Sequence, residues 1–191
     1  MGRLQMPRPF HRNRIEINGT DALRDGDYSG YGHHATRVNS PGRTNGLVTS
    51  PTGEGGALVL DGVDDYVTLP PGVAPWGISC TMEAWIKTTT RQSQAFEANY
   101  PILGVWDGAS AGGVGQSFGL DAGRISFAVS EDATSGCGDD YFKIIGSPVN
   151  DGEWHHVAVT IDHLAKQVRI YRDGASNAEG SISRIIWGLD I

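Results

Sequence analysis

Apolar residues recur at every second position in several stretches of this 191-residue sequence. Between residues 78 and 87 the apolar set is Ile78, Cys80, Met82, Ala84 and Ile86, and polar or mixed residues lie between them. Successive side chains of an extended strand point to opposite faces, so a period of two gives one apolar face and one mixed face. The pattern predicts a half-buried β-strand here.

Two longer segments show the same alternation on both sides of a polar turn. Apolar residues flank Asp121-Ala122-Gly123, which predicts a hairpin over residues 119–129. They also flank the polar stretch 162–166, and Asp173-Gly174 marks a further turn. Shorter strands are predicted at 57–60, 66–69, 102–106 and 141–145.

The remaining composition favours an all-β fold. No window of a dozen residues shows the 3.6-residue period of an amphipathic helix. Glycine is abundant, at 27 residues, which is typical of a chain with many tight turns. Short strands separated by Gly, Asp and Pro predict one antiparallel two-sheet β-sandwich or a barrel, with pairing between distant strands.

The charge distribution argues against nucleic acid as a partner. The formal net charge is −7, and basic residues cluster only at Arg3, Arg8, Arg12 and Arg14. We predict that residues 1–14 form a flexible, solvated basic tail. The sequence has no run of about 18 apolar residues, so no transmembrane helix is predicted. No signal peptide is visible, so the true start lies upstream, the chain is processed, or the protein stays inside the cell.

The two cysteines, Cys80 and Cys137, are too few for a disulfide framework, and their spacing matches no metal motif. Cys80 alternates with apolar neighbours, which favours a buried free thiol. A Cys80–Cys137 bridge stays open as an alternative if the protein is exported.

Three blocks of sequence occur in a fixed order between about residues 20 and 175. They are 27–36 (DYSGYGHHAT), 55–67 (GGALVLDGVDDYV) followed by 78–87 (ISCTMEAWIK), and 151–160 (DGEWHHVAVT) followed by 168–174 (VRIYRDG). Together they resemble the laminin-G-like, concanavalin A-like lectin family. The resemblance implies a jelly roll of two packed antiparallel sheets, covering residues 15–191 here.

The resemblance also implies an incomplete C-terminus. The family runs through two more strands after Gly174, and only residues 181–191 are left beyond the turn region. We expect Ile185–Gly188 to be the penultimate strand and the last strand to be absent. The chain is then either a truncated fragment or one that needs a partner strand to cover an open edge.

Aspartates in three loops are candidate calcium ligands. By the resemblance, Asp27 in the first loop and Asp107 after the strand at 102–106 are metal candidates, with Asp139 and Asp140 weaker ones. Asp64 is a candidate from its own surroundings, because a loop of Asp and Gly supplies the carboxylate and carbonyl oxygens that calcium takes. For its neighbours Asp61 and Asp65 we favour a structural role in Asx-turns.

The aromatic and histidine residues suggest a sugar platform more than a metal site. Trp106, beside an Asp-Gly loop, is the best candidate to stack on a sugar ring, and Trp85, Trp154 and Trp187 have core or sheet packing as the alternative. His155 and His156 are strand neighbours that point to opposite faces, so they cannot chelate one ion together. The resemblance gives His156 a structural position.

The sequence therefore predicts a non-catalytic recognition or adhesion module. It lacks the paired carboxylates of a glycosidase, a Gly-x-Ser-x-Gly elbow and a phosphate loop. The resemblance implies a carbohydrate or extracellular protein ligand, calcium support, and an extracellular or cell-surface location. One alternative is a purely structural accessory domain or fragment of a larger secreted protein. A glycoside hydrolase of lectin fold ranks last.

Overall fold

The computed structural model describes residues 15–16, 24–27, 32–43, 57–70, 73, 79–91, 100–106, 115–130 and 141–182. Every regular element in these ranges is a β-strand, as the alternation predicted. No helix in the described ranges is long and apolar enough to cross a membrane. The backbone divides into two compact units, Met1–Val73 and Ala74–Ile191. The boundaries expected from the sequence, a tail at 1–14 and a domain at 15–191, stay a prediction.

Six short strands are described in the first unit, and they form two antiparallel sheets. One sheet has the order β1-β2-β3-β6, and the other pairs β4 with β5. The strands are β1 (Ile15–Glu16), β2 (Arg24–Asp27), β3 (Ala35–Val38), β4 (Gly42–Arg43), β5 (Leu58–Val59) and β6 (Tyr66–Thr68).

The described part of the second unit has eight longer strands in two four-stranded antiparallel sheets, ordered β14-β13-β12-β7 and β11-β10-β9-β8. The strands are β7 (Cys80–Lys87), β8 (Tyr100–Trp106), β9 (Gly115–Asp121), β10 (Arg124–Ser130), β11 (Tyr141–Pro148), β12 (Trp154–Asp162), β13 (Gln167–Arg172) and β14 (Ala175–Ser181). Each longer segment predicted from alternation lies on one or two of these strands.

The core of the second unit lies between its two sheets. Met82 on β7 pairs with Val159 on β12, which confirms the predicted pairing of distant strands. Phe118 and Phe127, paired across β9 and β10, contribute the largest fully buried side chains from the other sheet. The apolar faces of both sheets supply one buried cluster, and the architecture is therefore an antiparallel β-sandwich.

Cys80 belongs to the rim of this core. Its thiol is free and half-buried on the inward side of β7. Burial raises the pKa of the thiol to about 11, so the group stays protonated and unreactive at neutral pH. Cys137 lies outside the described residues.

Strand β14 is the main element that the alternation did not predict. Asp173 and Gly174 both have positive φ, 51° and 79°, as a two-residue hairpin turn requires. The turn returns the chain against β13, where Ala178 pairs with Ile170. Pairing at the edge of the sheet, and not apolar patterning, forms this strand. The strand expected at residues 185–188 lies outside the described residues.

Truncating a core residue should cost much more stability than truncating an exposed one. Ile170 is fully buried in the core, whereas Leu164 is 90% exposed at the β12–β13 turn. We expect Ile170→Ala to lower the free energy of unfolding by about 2–5 kcal/mol, and the matched variant Leu164→Ala by less than about 0.5 kcal/mol. Chemical denaturation measures both. Equal losses would contradict the assigned core.

Candidate functional site

An acidic turn, defined here as residues 61–65, joins β5 to β6 in the first unit. Gly62 has a φ of 76°, a left-handed conformation that glycine adopts without steric cost. This glycine lets the chain fold back so that one carboxylate oxygen from each of Asp61, Asp64 and Asp65 lies within 4.8 Å of the others. Asp61 and Asp64 are exposed and Asp65 is half-buried. The cluster can hold a metal ion.

Hydrogen bonds inside the acidic turn involve some of its carboxylate oxygens. Asp61 Oδ1 accepts from the backbone N–H of Val63 at 2.8 Å and of Asp64 at 3.3 Å, which is the Asx-turn expected from the sequence. Asp65 Oδ2 accepts from the Asp61 N–H at 3.1 Å. The hydrogen bond from the N–H of Val63 is the main cause of the lowered pKa of Asp61. The carboxylate of Asp61 therefore stays ionised to a lower pH than an ordinary aspartate does.

The acidic turn is also tied to strand β3. Val38, the last residue of β3, pairs with Tyr66, the first residue of β6. Asn39 follows with a φ of 63°, and its side-chain amide donates to the carbonyl of Asp64 at 2.8 Å. Asparagine tolerates this left-handed backbone better than most residues. A cross-strand contact thus holds the carbonyl of the turn in place beside the carboxylates.

Of the predicted metal ligands, Asp64 lies in this cluster. Its two companions are Asp61 and Asp65, for which the sequence favours a structural role. Asp27 closes β2, but its side chain is outside the described part. Asp107, Asp139 and Asp140 also fall outside it. Whether Asp27 and Asp107 approach the same ion stays a prediction.

The four tryptophans considered as sugar platforms differ in where the structure places them. Trp106 is the last residue of β8, and its side chain is not among those described. Trp154 is half-buried at the start of β12, and Trp187 lies outside the described residues. Trp85 is 45% exposed on the outward side of β7. Of these four residues, Trp85 alone is described with an indole open to solvent.

A charged cluster around His155 joins three segments of the second unit. His155 is 6% exposed, Nδ1 lies 2.9 Å from Asp173 Oδ2, and Nε2 lies 3.0 Å from Asp151 Oδ1. Arg172 Nη2 lies 3.3 Å from His155 Nε2, and Arg172 Nε lies 3.3 Å from Asp173 Oδ2. The cluster fixes the entry to β12 against the β13–β14 turn, a structural task.

The two histidines point to opposite faces, as expected. His155 is buried, and His156 is half-buried on the outer face, where its ring contacts Trp85. The structural position that the resemblance implied for His156 stays a prediction. Spacing could not reveal the His155 cluster, because its carboxylates come from a loop and from a distant hairpin turn.

Both carboxylates of this cluster have a lowered pKa. For Asp151 the N–H of Glu153 is the main cause, followed by the hydrogen bond with His155. For Asp173 burial alone would raise the pKa, but the bonds from His155 and from the backbone N–H of His156 together outweigh it. These hydrogen bonds therefore favour the ionised form of both aspartates in the folded chain.

The two packed antiparallel sheets of the second unit define a concanavalin A-like class of fold. A family model described as the concanavalin A-like lectin/glucanases superfamily matches residues 61–188, about two thirds of the chain. The chain belongs to this superfamily, which confirms the resemblance found in the sequence. No curated protein matches the chain in sequence.

Solved structures from work on botulinum neurotoxins share the fold. One comes from work on botulinum neurotoxin type C, whose cell entry depends upon interaction with two ganglioside molecules (TM-score 0.59, 17% identity, 92% of this chain and 39% of that chain). Another is the binding domain of botulinum neurotoxin DC in complex with rat synaptotagmin II (TM-score 0.57, 15% identity, 92% and 40%). The present chain thus spans about two fifths of their length, and such low identities show the fold alone.

Acid should weaken the fold through the His155 cluster. Because the pKa of Asp151 and of Asp173 is lowered from 3.8, their contribution to stability is complete above that value and is lost as pH falls through the lowered values. We expect Asp173→Asn to be less stable than the wild type at pH 7 and to lose less stability on acidification. Urea midpoints between about pH 2 and 7 measure this.

Glu153→Gln is the matched control for this experiment. Glu153 is exposed in the same loop as Asp151. Its variant should retain the acid dependence of the wild type. An Asp173→Asn profile parallel to that of the wild type would contradict the role assigned to the cluster.

Proposed function

We propose that this chain is a non-catalytic recognition module that binds a carbohydrate or an extracellular protein ligand, with calcium bound at the acidic turn. The observation that carries the proposal is the cluster of Asp61, Asp64 and Asp65 on one turn, two of them exposed and Asp65 half-buried. Membership of a lectin superfamily supports a binding role. It also supports the expected extracellular or cell-surface location.

The structural neighbours support the two ligand classes. One neighbour is described with ganglioside interaction and another in complex with synaptotagmin II, so sugar-bearing and protein ligands both occur on proteins of this fold. Sandwich domains present recognition residues on loops and sheet faces while the core holds the scaffold. The present chain likewise has a buried core, an exposed acidic turn and an exposed sheet face on β7.

The acidic turn has the chemistry of a calcium site. Calcium takes six to eight oxygen ligands from carboxylates, carbonyls and water. Asp61 and Asp65 each use one oxygen within the turn and keep the other. Asp64 has no hydrogen-bond partner for its carboxylate among the described residues. These three side chains would hold the ion, and the metal roles expected for Asp27 and Asp107 stay separate predictions. A bound calcium would supply a positive charge that rigidifies the turn and attracts ligand oxygens.

The non-catalytic part of the proposal rests on β7. Glycosidases of this superfamily need two carboxylates across a cleft. Glu83 is the sole carboxylate on β7, and the other outward positions of that strand carry Thr81, Trp85 and Lys87. β7 does not carry such a pair by itself, which supports a non-catalytic role.

Calcium should stabilise the chain through the acidic turn. An ion that binds only the folded state adds about 2.7 kcal/mol of stability at a hundredfold excess over its Kd. We expect a calcium-dependent rise in the thermal midpoint that chelator reverses. Asp61→Asn combined with Asp64→Asn should abolish it, and Glu153→Gln, an exposed carboxylate in the second unit, should retain it. Isothermal titration measures the Kd for calcium. A wild type whose thermal midpoint does not respond to calcium would refute the proposed calcium site.

Ligand binding tests the recognition role itself. We expect the wild-type chain to bind members of a glycan array or of an extracellular protein panel, in the presence of calcium. A polysaccharide turnover assay should remain at background, with Glu83→Gln as the comparison. Turnover that Glu83→Gln abolishes would replace the proposed function with a glycosidase, and binding to neither panel would refute recognition.

A further inference from the structure

The outward side of β7 carries an exposed indole between two oppositely charged groups. Inward residues of this strand, such as Met82, belong to the core. By alternation Glu83, Trp85 and Lys87 point the other way, and all three are exposed. Glu83 and Lys87 each lie two residues from Trp85, about 7 Å along the strand. An acceptor and a donor thus flank one flat apolar ring.

The neighbouring strand fixes the orientation of this indole. His156 on β12 is directly opposite Trp85, with the ring centroids 5.2 Å apart and the planes tilted by 58°. His156 Nε2 also lies 3.6 Å from Glu83 Oε2. Although the imidazole contacts it on one side, Trp85 remains 45% exposed. The ring is held in place before any ligand arrives, which reduces the entropy cost of binding.

We propose that Glu83, Trp85, Lys87 and His156, called the Trp85 surface, bind a neutral hexopyranose by stacking its apolar face on the indole. This inference rests on the proposed function and names a ligand class and a site for it. An aromatic ring matches the C–H face of a pyranose. The Glu83 carboxylate accepts from sugar hydroxyls, and the Lys87 ammonium donates to a sugar oxygen.

The charges of the Trp85 surface favour a neutral sugar over other ligands. Glu83 and Lys87 carry opposite charges, so the surface does not select an acidic sugar by attraction. Trp85 is also the one large apolar side chain on the outward side of β7. A protein hot spot usually sits in a fully desolvated, well-packed pocket, whereas an exposed indole between Glu83 and Lys87, with the half-buried Trp154 opposite Lys87, suits one sugar ring.

Substitution of Trp85 tests the assignment. The probes are neutral hexose oligosaccharides, first on an array and then in titration calorimetry with the wild type. Trp85→Leu keeps apolar bulk without the flat ring and should raise the Kd about tenfold or more. Trp85→Phe keeps a smaller ring and should raise it less. Leu164→Ala, which truncates an even more exposed apolar residue at the β12–β13 turn, should leave the Kd unchanged.

Glu83→Gln gives an independent measurement that does not disturb packing, because its side chain is 67% exposed. Loss of the charged acceptor should raise the Kd about fivefold. Thermal midpoints confirm that each variant is folded. If Trp85→Leu fails to fold, an unchanged Kd in Glu83→Gln overturns the assignment.

The outcomes separate this inference from the proposed function. A wild type that binds neutral sugars with the same Kd as Trp85→Leu overturns the Trp85 surface and leaves lectin-like recognition standing. A wild type that binds only protein ligands or acidic glycans does the same. A wild type that binds no glycan and no protein refutes both. Weakened binding in Trp85→Leu and Glu83→Gln, with Leu164→Ala unaffected, supports the Trp85 surface.

Discussion

Packing of two apolar sheet faces against each other holds the second unit together. Strands β7, β10, β12 and β13 contribute every second side chain to that interface, and Phe118, Phe127 and Ile170 are fully buried there. Burying such side chains is worth about 1.5–3 kcal/mol each before conformational entropy is subtracted. Without this interface β7 would not be held beside β12, and Trp85 would have no partner in His156.

Charge plays a different part from apolar burial. Few ionisable groups come near the core, and His155 does so with Asp151 and Asp173 beside it. A buried ring that faces two carboxylates links a loop to a hairpin turn more specifically than an apolar contact would, since its geometry admits one arrangement. The acidic turn is the opposite case. Its carboxylates face water, where they are free to meet a ligand.

Local patterns could be read from the sequence, and contacts across the chain could not. Alternation located β7, β9, β10, β12 and β13, and an Asp-Gly pair marked the turn before β14. The Asx-turn at Asp61 was also predictable, because it depends on residues two and three positions away. The contact of Trp85 with His156 depends on a register between strands about seventy residues apart along the chain, which no local pattern specifies. Strand β14 lacks apolar alternation and depends wholly on its neighbour.

Alternation along β7 interleaves scaffold and recognition residues one by one. An inserted or deleted residue within 80–87 would turn the following side chains over, sending Trp85 inward and its apolar neighbours into water. New ligand preferences are therefore expected to arise by exchanges at positions 81, 83, 85 and 87. A change of length in a connecting loop does not reverse the side chains of a strand, so loops tolerate such changes.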